Sequence, residues 1–177
     1  SAGDVNADGY GDVLVGVPGA SPANASVFHG SPSGGEASAA RVLVGASGDA
    51  LGTAVAGAGD VNGDGYDDVL VGGTRPSGSD RVGTVNVFHG SPSGAATVAS
   101  RILVGVGAYD GFGDALAGRG DNSADGYDDI LIGVVNAEAG AGAAYSYRGS
   151  PSGVERDATR TFIGTGNYRY SFGTSVA

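Results

Sequence analysis

The chain has 177 residues, a formal net charge of −10 and no Cys, Met or Trp, and all nine of its basic residues are Arg. That composition excludes a disulfide framework and any thiolate metal site, and it argues against a nucleic-acid surface, which needs clustered Lys and Arg. No apolar run of about 18 residues occurs, so no membrane-inserted helix is expected.

Ser1-Ala-Gly leads into an Asp-rich segment, Asp4-Val-Asn-Ala-Asp-Gly-Tyr-Gly-Asp12, followed by an apolar run and then Val17-Pro18-Gly19-Ala20. Gly-Ser-Pro-Ser-Gly closes the next apolar run at 30–34, and Arg41 opens another. The order then starts again at Leu51-Gly52. Asp60-Val-Asn-Gly-Asp-Gly-Tyr-Asp-Asp68 and Asp121-Asn-Ser-Ala-Asp-Gly-Tyr-Asp-Asp129 repeat the acidic segment, with starts 56 and 61 residues apart. Gly-Ser-Pro-Ser-Gly returns at 90–94 and 149–153, and the pair at 51–52 returns as Phe112-Gly113 and Phe172-Gly173. Three independent markers share one period of about 60 residues, the signature of a repeat architecture.

Each period holds four strand-length apolar runs; in the second they are 52–58, 68–72, 84–89 and 101–105. They are rich in Val, Ile and Leu and bounded by Gly, Pro, Ser and Asp, and none has a helical stripe. Four strands per repeat make one blade of an all-β propeller. A β-sandwich of short strands is the competing architecture, but it has no reason to repeat at a fixed period. The expected blades are approximately 1–45 with 172–177, 51–105, and 112–164, in one propeller unit spanning 1–177. Residues 172–177 read as the first strand of a blade whose other three strands lie at the start of the chain, so the chain is three blades cut inside one blade.

Three blades do not reach the usual four to eight of a closed ring. Two chains that each lend the 172–177 strand to the other give a six-bladed homodimer. The other reading is an excerpt of a longer propeller.

The acidic segments carry the chemistry. In the second, Asp60, Asn62, Asp64 and Asp68 place oxygen side chains at positions 1, 3, 5 and 9, Tyr66 offers its carbonyl at position 7, and Gly65 permits the turn. The matching sets are Asp4, Asn6, Asp8, Tyr10 and Asp12, and Asp121, Ser123, Asp125, Tyr127 and Asp129. Hard oxygen donors at alternate positions of a tight loop suit calcium, and the absence of His and Cys disfavours zinc and copper. One calcium per repeat is expected, three per chain, with the Ser123 loop the weakest donor set. An EF-hand requires Glu at position 12, where Val15, Val71 and Ile132 stand, and a following helix where these loops lead into strands. A solvated acidic turn without metal is the plain alternative.

Asp-x-Asn-x-Asp-Gly-x-x-Asp, preceded by Phe-Gly and followed by an apolar run and Gly, resembles the FG-GAP repeat of integrin α-subunits and bacterial surface proteins. Val17-Pro18-Gly19-Ala20 resembles the second element of that repeat, whereas Gly73-Thr74-Arg75-Pro76 and Val134-Val135-Asn136 depart from it. The resemblance implies four-stranded blades with the calcium loop between strands one and two, and a non-catalytic adhesion or scaffold role outside the cytoplasm, with an unidentified protein or glycan ligand. The all-Arg, Ala- and Gly-rich composition points to a bacterial source.

Several residues read as structural. His29 and His89, replaced by Arg148 in the third repeat, read as surface strand ends. Asp67 and Asp128, preceding the last ligand, read as solvated side chains, with hydrogen-bond acceptors behind the ligands as the other reading, and Arg41, Arg101 and Arg160 as structural residues that pair with a neighbouring blade. Asn24-Ala25-Ser26 is a glycosylation sequon. Glu36, Asp49, Asp80, Asp110, Asp114, Glu138, Glu155 and Asp157 form no recognisable catalytic pair, though a role as an accessory domain of an enzyme stays open. Tyr109, Tyr168 and Tyr170 fall in one type of inter-blade connection, where exposed aromatics would serve a lectin-like carbohydrate site.

Overall fold

A computed structural model describes residues 1–45, 48–165 and 172–177. Its described strands form three antiparallel meanders. The first sheet holds β1 (Val13–Val17), β2 (Asn24–Phe28) and β3 (Arg41–Val44). The second holds β4 (Ala50–Gly59), β5 (Asp68–Ser77), β6 (Asp80–Phe88) and β7 (Arg101–Ala108). The third holds β8 (Phe112–Gly120), β9 (Asp129–Val134), β10 (Ala143–Tyr147) and β11 (Arg160–Ile163). One four-residue helix, α1 (Ala137–Gly140), joins β9 to β10 and departs from the all-β expectation. The second sheet's strands run longer than the sequence pattern marked, chiefly where β5 and β6 extend into a hairpin paired down to Ser77 and Asp80.

The apolar runs are continuous rather than alternating because the middle sheet is covered on both faces, the pattern of a doubly buried strand. Val69, Leu70 and Val71 are each fully buried. Val69, Val71 and Phe88 pack into a cluster with Leu14, Val27 and Leu43 of the first sheet. From the opposite face, Leu70, Val85, Val87 and Leu103 pack against Ile130, Ile132, Ala143 and Tyr147 of the third. Every sheet therefore has a forward face, marked by the Leu14, Leu70 and Leu131 position, and a back face, marked by Val15, Val71 and Ile132.

Glycine is required where successive sheets touch. The carbonyls of Gly52, Gly113 and Gly173 press against Gly16, Gly72 and Gly133 of the preceding sheet, leaving no room for a Cβ. Gly52, Gly113 and Gly173 themselves have φ between 85° and 96°, the left-handed region open to glycine. This close approach gives the Leu/Phe-Gly marker its physical reason. It also places Phe172-Gly173 on the third sheet as β4 and β8 sit on theirs. Residues 172–177 form no regular strand; Phe172 makes one isolated bridge to Gly142. At the other end of the stack, Gly3 bridges Asp12, matching the Gly59–Asp68 and Gly120–Asp129 pairs that end β4 and β8. The first sheet thus carries the last residues of a strand-one position and lacks the rest, and β1 has an open edge among the described residues.

Candidate metal centre

The three acidic loops share one end of the stack, each between strand one and strand two. In the first, the N–H of Asp8 donates to both Asp4 Oδ1 and Asn6 Oδ1 at 3.1 Å, and Asn6 Nδ2 donates to Asp8 Oδ2 at 2.8 Å. In the second, the Asp64 N–H donates to Asp60 Oδ1 and Asn62 Oδ1 at 3.0 Å. Side-chain oxygens of positions 1 and 3 therefore converge beside position 5 in both loops. The third loop keeps only half of this: the Asp125 N–H donates to Asp121 Oδ1 at 3.1 Å, while Ser123 Oγ turns to Asp121 Oδ1 at 3.4 Å. The N–H of Tyr10 and the side chain of Asn6 hold the Asp8 carboxyl below the usual range, and the Gly126 N–H does most to hold Asp121 low. These oxygens favour the charged form that a cation needs.

Position 9 is placed differently. Asp12, Asp68 and Asp129 are buried, at 1%, 0% and 3% exposure. Asp68 Oδ2 accepts from Val61 N–H at 3.0 Å and Oδ1 from Gly90 N–H at 2.8 Å. Asp12 does the same for Val5 and Gly30, and Asp129 for Asn122 and Gly149. Each carboxylate thus ties its loop to the Gly-Ser-Pro-Ser-Gly turn of the same sheet, an arrangement the sequence reading missed. Burial pushes Asp68 up to about 7, with Asp64 and Asp60 adding to the rise against the two N–H donors. The structure brings positions 1, 3 and 5 together at the surface and holds position 9 beneath them. Among the described residues, no three acidic or His side chains enclose a common point in this arrangement. The donor set still fits a hard divalent cation, because each oxygen of position 9 retains a lone pair beyond the one its N–H engages.

Asp67 and Asp128 are not solvated side chains: the favoured expectation is corrected, and the acceptor reading holds. Asp67 Oδ2 accepts from Asp4 N–H at 2.8 Å, and its own N–H donates to Asp4 O at 3.1 Å. Asp128 repeats both contacts on Asp60, at 2.9 and 3.1 Å. The N–H groups of Ser91 and Ser150 add bonds of 3.0 Å to Val5 O and Val61 O. Position 8 of one loop therefore clamps position 1 of the loop before it, and Tyr127 covers Gly63 of that loop.

Two other expectations change for the same reason. Arg101 makes no described ion pair; its Nε donates to Val154 O of the third sheet at 2.9 Å. His29 and His89 are partly buried rather than surface ends. Their Nε2 atoms are covered and unpaired, packed on Gly94 and Gly153 of the next sheet. Desolvation, outweighing the nearby Asp64 and Asp60, lowers His89. Of the acids outside the loops, Asp49 pairs with Arg75 at 3.4 Å. Asp110 holds the N–H groups of Gly107 and Phe112 at 3.0 Å. Tyr109 is 64% exposed; Tyr168 and Tyr170 lie outside the described residues.

Stacked antiparallel meanders, each with an Asp-rich turn between its first two strands and a glycine contact to the sheet before, define an array of propeller-type repeats. Residues 4–71 match the FG-GAP-like repeat family. Integrin alpha-8 of Gallus gallus is 37% identical over 105 residues, 57% of this chain and 10% of that protein. Integrin alpha-6 of Homo sapiens is 30% identical over 136 residues, 73% and 12% respectively. Integrin alpha-PS2 of Drosophila melanogaster is 36% identical over 94 residues, 50% and 7%. The chain carries an FG-GAP, integrin-like repeat domain, and it spans about a tenth of the length of these relatives. No described helix is long and apolar enough to cross a membrane.

Proposed function

We propose that the protein is a calcium-stabilised β-propeller module for adhesion or protein–protein interaction, non-catalytic and working outside the cytoplasm. The observation that carries the calcium reading is the convergence of position 1 and position 3 oxygens on the position 5 N–H in the first two loops. The ligands would be Asp4, Asn6, Asp8 and Asp12; Asp60, Asn62, Asp64 and Asp68; and Asp121, Ser123, Asp125 and Asp129, with the carbonyls of Tyr10, Tyr66 and Tyr127. A bound calcium supplies the positive charge that offsets these clustered carboxylates. The chain's own part is to hold the turn: position 9 anchors the loop from below and position 8 of the next loop fixes its entry. Because the ion binds the folded loop and not the open chain, it adds stability by mass action. The adhesion reading rests on the integrin relatives.

The test is the melting temperature of Asp64→Ala against the unaltered chain, in calcium and in chelator. The variant loses more in calcium than in chelator; equal losses sink the calcium reading.

A saccharide-binding reading has one specific support. Exposed Tyr109 borders a cleft of about 280 Å³ whose lining includes Asp110, Asn136, Glu138 and Tyr145. A glycan screen of Tyr109→Ala beside the unaltered chain separates the two: glycan binding lost in the variant favours the saccharide reading.

A further inference from the structure

The outer edge of the middle sheet is open. β7 pairs with β6 on one side and, among the described residues, with no strand on the other. An open edge presents unpaired N–H and C=O groups, and folded proteins usually blunt it with charge, proline or a bulge. Here the blunting covers only the second half of the strand. Thr84 faces Val104 and Val82 faces Ala108, so Gly105, Val106 and Gly107 stand opposite Gly83 alone and bulge from the ladder. Residues 101–104 keep their register with 84–87, with no proline among them.

The two sides of this edge differ in chemistry, because side chains alternate along a strand. Arg101 and Leu103 point to the third sheet, where Arg101 Nε donates to Val154 O at 2.9 Å and Leu103 joins the shared core. Ile102 and Val104 point the other way and are 40% and 45% exposed. Sheets flank the middle one on both faces, so this exposure belongs to the rim and not to a sheet without a neighbour. A cleft of about 420 Å³ runs along the edge from Ser100 to Val104, and Arg156 and Asp157, from the connection before β11, line it as well.

The cleft holds free donors. The Nε bond fixes the Arg101 guanidinium, whose Nη atoms have no described partner. Arg156 is exposed and pairs with no described acid, Asp157 included. The first junction is built differently. Thr97 and Val98 stand there in place of Arg156 and Asp157, and Arg41 turns its Nη1 back to Ala40 O at 2.9 Å. Two Arg against one Asp leave this cleft with one net positive charge, on a chain whose net charge is −10. An acidic partner is repelled over most of the surface and received at this rim, which is how charge sets specificity.

We propose that residues 101–104 are a docking edge for an extended acidic segment of a partner protein, which adds beside β7 as a fifth strand of the middle sheet. Its carboxylates face Arg101 and Arg156, and its apolar side chains lie beside Ile102 and Val104. Strand addition draws affinity from main-chain hydrogen bonds and specificity from alternate side chains, so the fitting sequence alternates Asp or Glu with Val, Ile or Leu. The bulge at 105–107 ends the pairing. This surface is separate from the acidic loops and from the cleft beside Tyr109, and it stands whether or not either is occupied.

The probe is a fluorescein-labelled synthetic peptide, Thr-Val-Asp-Val-Asp-Val-Thr, titrated with the full chain and read by anisotropy. It is expected to bind, and amide exchange at residues 101–104 is expected to slow when it does. Arg156→Thr, which places the residue of the preceding repeat at an exposed site, should weaken binding about tenfold, the effect of losing one charge-assisted hydrogen bond. Asp157→Asn should tighten it. The same peptide N-methylated along its backbone keeps the charges and loses the main-chain donors, and it should bind about tenfold more weakly or not at all. Absence of binding, an affinity unmoved by Arg156→Thr, equal binding of the N-methylated peptide, or unchanged exchange at 101–104 each overturns the proposal. Binding of a heparin fragment that depends on Arg156, with no binding of the alternating peptide, also overturns it and makes the cleft a polyanion site instead of a strand-pairing edge.

Discussion

Val15 and Val71 occupy the same place in successive repeats, on strands that share the run Val-Leu-Val-Gly. Val71 is fully buried and Val15 is 44% exposed. The difference lies in the neighbour: the back face of the second sheet rests on Leu14, Val27 and Leu43, and the back face of the first rests on nothing in this chain that the structure describes. The loops show the same asymmetry in the other direction. The loops starting at Asp4 and Asp60 are clamped by the sheet that follows them, and among the described residues no side chain accepts from the N–H of Asp121. In a stack of sheets, stability belongs largely to the junctions, as expected for repeat proteins whose energetics are dominated by nearest neighbours.

The largest effect that would break this comparison comes from the core. Leu70→Ala, at the centre of the second junction, is expected to cost about 3 kcal/mol by urea unfolding, because it removes buried area and leaves a cavity. Val15→Ala in dilute chain is expected to cost less than about 0.5 kcal/mol, as befits an exposed site. Similar losses for the two would mean that the repeats fold as independent units.

A smaller effect sharpens the comparison at the loops. Asp128→Ala removes the acceptor for the Asp60 N–H and is expected to cost about 1–2 kcal/mol. Amide hydrogen exchange should quicken at Asp60 and stay unchanged at Asp121. Quickening at both would show that the loops are held by something other than the clamp between neighbouring sheets.

What the sequence made legible is what short-range chemistry determines. The strand runs and the punctuation by Gly, Pro and Asp in the second period fall on β4 to β7, whereas the strand expected at 172–177 is reduced to one isolated bridge. The acidic loops were found because their spacing is a local pattern. What stayed hidden depends on contacts across one full repeat. Asp67 meets Asp4 and Asp128 meets Asp60, 63 and 68 residues apart, and Arg101 reaches Val154 O, 53 residues on. In the sequence these are single charged residues beside a motif, and only the stacking of sheets supplies their partners. Position 9 was half legible. Its acidity was plain, but its downward turn to Val61 and Gly90 required the Gly-Ser-Pro-Ser-Gly turn to be placed beside it. The absence of Asp at position 8 in the first loop was the one available signal that position 8 is read by a neighbour.

The smallest expected effect concerns Asp114, which follows the Phe112-Gly113 contact on the strand facing the middle sheet. Desolvation, with the Asp110 charge as the lesser cause, raises its carboxyl above the usual carboxylate range. A carboxyl raised on folding binds protons more tightly in the folded than in the unfolded chain. Its ionisation therefore opposes folding at neutral pH, and that penalty fades as pH falls through the folded value and is gone below the unfolded one. Asp114→Asn should accordingly stabilise the chain at pH 7, by less than about 0.5 kcal/mol because much of the side chain is screened by solvent. The gain should disappear in urea titrations below about pH 4. Loss of stability at pH 7 would show instead that the Asp114 charge is held by a favourable partner, and the junction beside Phe112 would then be bound electrostatically where the glycine contact alone now accounts for it.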